Sequence, residues 1–232
     1  MTPEFAPVGD LAVRVAFGTE ISLRTNDRIH RFCRRLQTEP IRGVTEWVPG
    51  YATVTVYYRP WTVGYDELCR ALQGRLRQRA SEPAPEARPV EIPVCYGGEW
   101  GPDLDALAAA HDLTPTQVIE RHTGGRYRVY FLGFLPGFPY LGGLPPALAT
   151  PRRATPRPRV PAGSVGIAGA QTGVYPGETP GGWQIIGRTP QRLYDPNRQP
   201  PALLAVGDAV QFIPITERQF EEMQEGVADG AH

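Results

Sequence analysis

The chain has 232 residues, 24 basic and 24 acidic groups, no formal net charge and 41% hydrophobic residues. It is long enough to bury a core without disulfides or metal, and too evenly charged for a general nucleic-acid binder. Every basic residue is arginine, which excludes a Schiff-base lysine, a biotinylated lysine and the lysine of a phosphate-binding P-loop.

Cys33, Cys69 and Cys95 lack any Cys-x-x-Cys spacing and read as reduced thiols. The four histidines lack ligand spacing, so no metal is expected. The N-terminus has no signal pattern, and no apolar run approaches the roughly 18 residues of a membrane span. A cytoplasmic protein that engages neither membrane nor nucleic acid is the expectation.

Residues Leu11 to Phe17 alternate apolar and polar, the period of a half-buried strand. A helix follows, with Thr25 expected to cap it and Ile29, Phe32, Cys33 and Leu36 forming its apolar stripe. Val44 to Val48 and Tyr51 to Tyr58 read as strands joined at Pro49-Gly50, and after Pro60 a second helix carries Leu68, Leu72 and Leu76 on one face. Strand, helix, strand, strand, helix is most of a βαββαβ unit. Residues 1–80 are therefore expected to form an α+β ferredoxin-like domain closed by one further strand, with residues 81–89 as a proline-rich linker.

Beyond the linker, Val90 to Tyr96 reads as a strand and Asp103 to His111 as a short helix. A second short helix opens on a capping box of Thr114 and Gln117, with Pro115 at its first position. Strands are expected at Tyr127 to Leu132, Ser164 to Ala168, Trp183 to Gly187 and Ala209 to Ile213, each bounded by Gly or Pro. Many short strands between long loops predict a β-rich domain over residues 90–216, a closed barrel or a sandwich. The acidic tail, 217–232, is expected to be helical at first and then to fray.

The stretch from Phe131 to Trp183 concentrates the chemistry. Phe134, Phe138 and Tyr140 lie in Gly133-Phe134-Leu135-Pro136-Gly137-Phe138-Pro139-Tyr140-Leu141, too rich in breakers for a regular amphipathic element, and so should wall a pocket or a partner surface. From Arg121 to Gly177 there is no Asp or Glu, while Arg152, Arg153, Arg157 and Arg159 sit among prolines that stiffen the backbone. That pattern predicts a carboxylate or phosphate site, weighed against ordinary solvated loop arginines. Tyr175 and Trp183, flanked by glycines that permit close approach, with Gln171 and Gln184, complete the expected binding set. His122, between a capped helix and a strand, is the candidate catalytic imidazole; a histidine that only faces its helix dipole is the competing account. Gly163-Ser164-Val165-Gly166 lacks the spacing of a nucleophile elbow and is rejected.

Three segments carry a resemblance: FLGFLPGFPYLGGLP, TPRRATPRPRVPAGSVGIAGAQTGVYP and TPGGWQIIGRTP. With IPVCYGGEWGPDL and the segment around His122, they closely resemble the family of allophanate hydrolase subunit 1, the 5-oxoprolinase B subunit and the sporulation-kinase inhibitor KipI. The likeness is nearly continuous from Val90 to Phe212 and weaker before it. It implies an N-terminal α+β domain and a C-terminal cyclophilin-like barrel, as in half of the carboxyltransferase domain of urea carboxylase.

It further implies a chain that is inactive alone and works with A-type and C-type 5-oxoprolinase subunits, converting 5-oxo-L-proline to L-glutamate at the expense of ATP. The complex would use the ATP without this chain binding it. The alternative within the family is a binding module that inhibits a histidine kinase. A stand-alone prolyl isomerase follows only from the analogy of fold.

Overall fold

The computed structural model describes residues 3–19, 21–77 and 87–229, and the chain divides into two compact units between Glu86 and Ala87. Most of the expected linker, residues 81–86, lies outside the described residues. Among the described residues no helix is long and apolar enough to cross a membrane.

The first unit runs β1 (Glu4–Val8), β2 (Ala12–Ala16), α1 (Leu23–Thr38), β3 (Val44–Pro49), β4 (Thr53–Tyr58) and α2 (Tyr65–Arg77). Its sheet has the order β1-β2-β4-β3 and is antiparallel throughout. The core comes from the inward positions of the strands, Val13, Val15, Val54 and Val56, packed against Ile29, Phe32 and Leu36 of α1 and Leu68 and Leu72 of α2. The alternation of period two and the stripe of period 3.6 meet there, as binary patterning requires.

Two expectations change. The cap of α1 is Ser22, whose Oγ accepts from the Thr25 N–H at 3.2 Å, so Thr25 lies inside the helix. The closing strand of the βαββαβ unit does not follow α2 among the described residues. The place beside β2 is taken by β1, which hairpins onto it through the turn at Gly9, where φ is +57°. The expected succession of strand, helix, strand, strand, helix is therefore found in β2-α1-β3-β4-α2, while the strand that completes the sheet is not the expected one.

In the second unit seven strands close into a barrel in the order β10-β7-β6-β13-β5-β12-β9, with β9 hydrogen-bonded back to β10. They are β5 (Pro89–Tyr96), β6 (Tyr127–Leu132), β7 (Pro139–Gly142), β9 (Ser164–Ala168), β10 (Gln171–Val174), β12 (Gln184–Arg188) and β13 (Ala209–Ile215). Closure removes the sheet edges. β13 runs parallel to β5, and all other neighbours are antiparallel. β8 (Arg157–Val160) and β11 (Thr179–Gly181) form a separate two-stranded ribbon.

The helices α3 (Leu104–Ala110) and α4 (Pro115–Thr123) bury Leu104, Leu107, Ala108 and Val118 in the core that includes Ile92, Val129, Leu141, Val165, Ile186 and Phe212. The capping box of α4 is present on both sides, Thr114 and Gln117 exchanging bonds at 2.9 and 3.2 Å. The acidic tail forms α5 (Glu217–Asp229), pinned by Phe220, which is fully buried with its ring 4.2 Å from that of Trp100. That contact carries the helix further than the expected fraying allowed; residues 230–232 lie outside the described residues.

Candidate functional site

The aromatic loop splits in two. Its second half, Pro139–Gly142, is barrel strand β7, contrary to the expectation that no regular element passes through it; the strand is short and pairs with β6. Its first half turns sharply. The Leu135 N–H donates to the Gly133 carbonyl at 2.8 Å, Gly133 N–H to the Phe138 carbonyl at 3.1 Å, and Phe134 between them has φ +67°. A bulky residue at positive φ is strained. The turn leaves the Phe134 ring 62% exposed, edge-on to Phe138 at 5.6 Å.

Phe138 itself is buried. Its ring meets Tyr140 at 4.9 Å, Tyr175 at 5.4 Å and Trp183 at 5.5 Å, largely edge-to-face, the geometry that aromatic quadrupoles favour. With Val160, Ala168 and Ile185 these residues make a small core of their own. Glycines let the rings approach: a Cβ on Gly181 would stand 2.6 Å from the Tyr175 hydroxyl, and one on Gly173 would stand 3.1 Å from both Phe138 and Trp183.

Above this cluster opens a cavity of about 400 Å³, lined by Phe134, Phe138, Tyr140, Tyr175 and Trp183, by Pro156, Pro180, Gly181 and Gly182, and by Arg152. Burial pushes the Tyr175 phenol up to about 12 and raises that of Tyr140, in each case against the opposing pull of Arg152. Both hydroxyls are therefore protonated donors at neutral pH.

The arginines do not converge as the acid-free window suggested. Asp103, just before α3 and nearly buried, takes Arg153 Nη1 on Oδ1 at 2.8 Å and both Arg157 terminal nitrogens, at 2.7 Å on Oδ1 and 2.8 Å on Oδ2. It also accepts the Ile185 backbone N–H on Oδ2 at 2.7 Å. Arg159 pairs with Glu178 at 2.7 Å, both exposed. Arg152 alone of the four has no carboxylate or hydrogen-bond partner among the described residues, and it lines the cavity.

The backbone of Arg152 is held on both sides. Gln184 Nε2 donates to the Pro151 carbonyl at 3.0 Å, and the Arg153 N–H donates to the Gly182 carbonyl at 2.8 Å. Gln184 is thus a support of the cavity rather than a wall. Gln171, half-buried at the start of β10, does not line it.

His122 is elsewhere, sealed in the barrel. Its ring stacks on Phe212 at 4.5 Å, and both nitrogens are engaged, Nδ1 with Tyr96 Oη at 2.8 Å and Nε2 with Thr172 Oγ1 at 3.0 Å. Thr172 Oγ1 donates its proton to the Gly166 carbonyl at 3.0 Å. It must therefore accept from Nε2–H, which leaves Nδ1 to accept from Tyr96 O–H. Burial lowers the pKa of His122 to about 3. The imidazole is a neutral, fully bonded core group that does not reach the cavity, and the catalytic expectation for it is not met by the geometry.

Sequence reasoning missed Asp103, because its charge partners lie 50 and 54 residues away. The one trace of its role is that, although it sits at the start of a helix, its side chain makes no cap bond there.

The closed seven-stranded barrel matches a cyclophilin-like fold. The chain belongs to the family described as carboxyltransferase domain, subdomain C and D, which matches residues 3–204. It is 44% identical over 228 residues to the 5-oxoprolinase B subunit of Bacillus subtilis, covering 94% of this chain and 95% of the relative. To the 5-oxoprolinase B subunit of Escherichia coli O157:H7 it is 49% identical over 211 residues, covering 90% and 95%.

Among solved structures it is similar to TTHA0988, with a TM-score of 0.76 and 40% identity over 88% of this chain but only 40% of that one. The urea amidolyase of K. lactis shares the fold with a TM-score of 0.79 at 22% identity, and this chain spans 15% of its length.

Proposed function

We propose that this chain is the B-type component of an ATP-dependent 5-oxoprolinase, a cytoplasmic complex that opens the cyclic amide of 5-oxo-L-proline to give L-glutamate. The observation that carries the reading is the end-to-end likeness to proteins named as 5-oxoprolinase B subunits, 44–49% identical with 95% of each relative covered. One component of a complex implies others, and A-type and C-type subunits are the ones expected.

The chemistry of the cavity supports a contribution that is incomplete alone. It offers one guanidinium, two phenols and apolar walls, and the chain has no lysine with which to grip a nucleotide as a P-loop does. ATP is therefore assigned to the assembled complex rather than to this chain by itself.

Reconstitution tests the reading. The pure chain is expected to release no glutamate from 5-oxo-L-proline with or without ATP, and activity is expected when the A-type and C-type subunits are added. Turnover by the pure chain, or none from the full set, would overturn it.

A further inference from the structure

The cavity also defines the kind of ligand it takes. Of the four arginines between positions 152 and 159, three are paired with a carboxylate: Arg153 and Arg157 share Asp103, and Arg159 meets Glu178. A ligand able to draw Arg153 or Arg157 inward would have to strip a nearly buried carboxylate of its partners, which costs more than a surface ion pair returns. Arg152 is the one guanidinium that lines the cavity, beside two neutral phenols, with aromatic rings, prolines and glycines making up the rest of the lining.

The backbone that carries the cation is held in place, since the residues on either side of Arg152 are tied to Gln184 and Gly182. Binding therefore has to order the side chain of Arg152 but not its backbone. The exposed Phe134 ring stands at the same rim on a strained turn, and strain of that kind collects at binding sites.

We propose that this cavity binds a small monoanion, a single carboxylate on a compact ring, with Arg152 holding the carboxylate and the aromatic wall holding the ring, and that it does not bind polyphosphates. A triphosphate needs several cations or a cradle of backbone N–H groups; one guanidinium over an apolar floor provides neither. The choice of 5-oxo-L-proline as first probe rests on the 5-oxoprolinase reading, whereas the ligand class rests on the cavity.

The test is calorimetric titration of the full chain at matched ionic strength. The probes are 5-oxo-L-proline, benzoate and cyclopentanecarboxylate as ring carboxylates, 2-pyrrolidinone as the 5-oxoproline ring without the carboxylate, and inorganic phosphate and ATP. At least one ring carboxylate is expected to bind, with 2-pyrrolidinone and Arg152→Gln each weakening the interaction roughly 10- to 100-fold, the usual worth of a charge-assisted hydrogen bond. Arg159→Gln is expected to leave it unchanged.

Binding of benzoate or cyclopentanecarboxylate through Arg152 without binding of 5-oxo-L-proline would uphold the cavity and count against the 5-oxoprolinase reading. The proposal is overturned if no carboxylate binds the pure chain, if ATP or phosphate binds more tightly than every carboxylate, or if Arg152→Gln changes nothing, even where the reconstituted complex is active.

Discussion

The barrel interior around His122 and the cavity beside Arg152 are built from the same materials, a basic side chain among aromatic rings and hydroxyls, and they end in opposite states. Around His122 each hydrogen bond has a defined direction, from Tyr96 through the imidazole to Thr172 and on to the Gly166 carbonyl, and the ring is fully buried. Around Arg152 the backbone is fixed, but the charge has no partner among the described residues. A buried polar group that is fully satisfied serves the fold, because leaving it otherwise would cost stability. A charge held in place and left open at a cavity is available to a ligand. The difference lies in what each group still lacks, not in residue type.

The largest expected effect tests whether the floor of the cavity is core. Phe138→Ala is expected to cost about 3–5 kcal/mol in urea denaturation, as for a buried phenylalanine elsewhere, since the ring packs on Tyr140, Tyr175 and Trp183. A loss under about 1 kcal/mol, well short of a core truncation, would mean that the floor is a surface and the contrast with Phe134 is false.

The interior can be probed by pH. His122 has a folded pKa of about 3, below the ordinary 6.5, so the unfolded chain takes up a proton that the folded barrel refuses. This contribution to stability is fully present above about pH 6.5 and is lost as pH falls from there towards 3, at up to about 1.4 kcal/mol per unit. Urea midpoints from about pH 7 to about pH 4, the window between those two values, should show the excess slope in wild type and not in His122→Gln. Parallel slopes would mean that the imidazole is not shielded.

The contrast also depends on Asp103, which pairs with Arg153 and Arg157 and not with Arg152. Asp103→Asn keeps the shape but removes the charge facing two arginines, and because those arginines are 36% and 24% exposed the loss is screened. A destabilisation of about 2 kcal/mol is expected. No change on denaturation would show that the arginines are ordinary surface groups and that Arg152 is not set apart from them.

The smallest expected change in stability is at Phe134. Relief of the positive φ in Phe134→Gly offsets the loss of a mostly exposed ring, so stability is expected to stay within about 1 kcal/mol of wild type. Activity of the reconstituted complex is expected to fall at least several-fold. Unchanged activity would remove Phe134 from the site and leave its strain without a purpose.

Much of the architecture was legible in local pattern. The alternation at Leu11 to Phe17, the stripe Ile29-Phe32-Cys33-Leu36, the capping box at Thr114 and the barrel strands bounded by Gly and Pro depend on neighbours a few residues away, which the sequence places side by side. The aromatic and glycine motifs that wall the cavity, and the family they belong to, were legible for the same reason. Only the tertiary structure decided which arginine is open, because the acid that pairs with Arg153 lies 50 residues before it. Burial in a closed barrel likewise made His122 a core group, and the pairing of β1 with β2 gave the sheet its last strand from the N-terminus. Periodicity and capping are set by covalent neighbours. Charge state, exposure and strand partnership are set by what the folded chain brings alongside, and no local pattern encodes that.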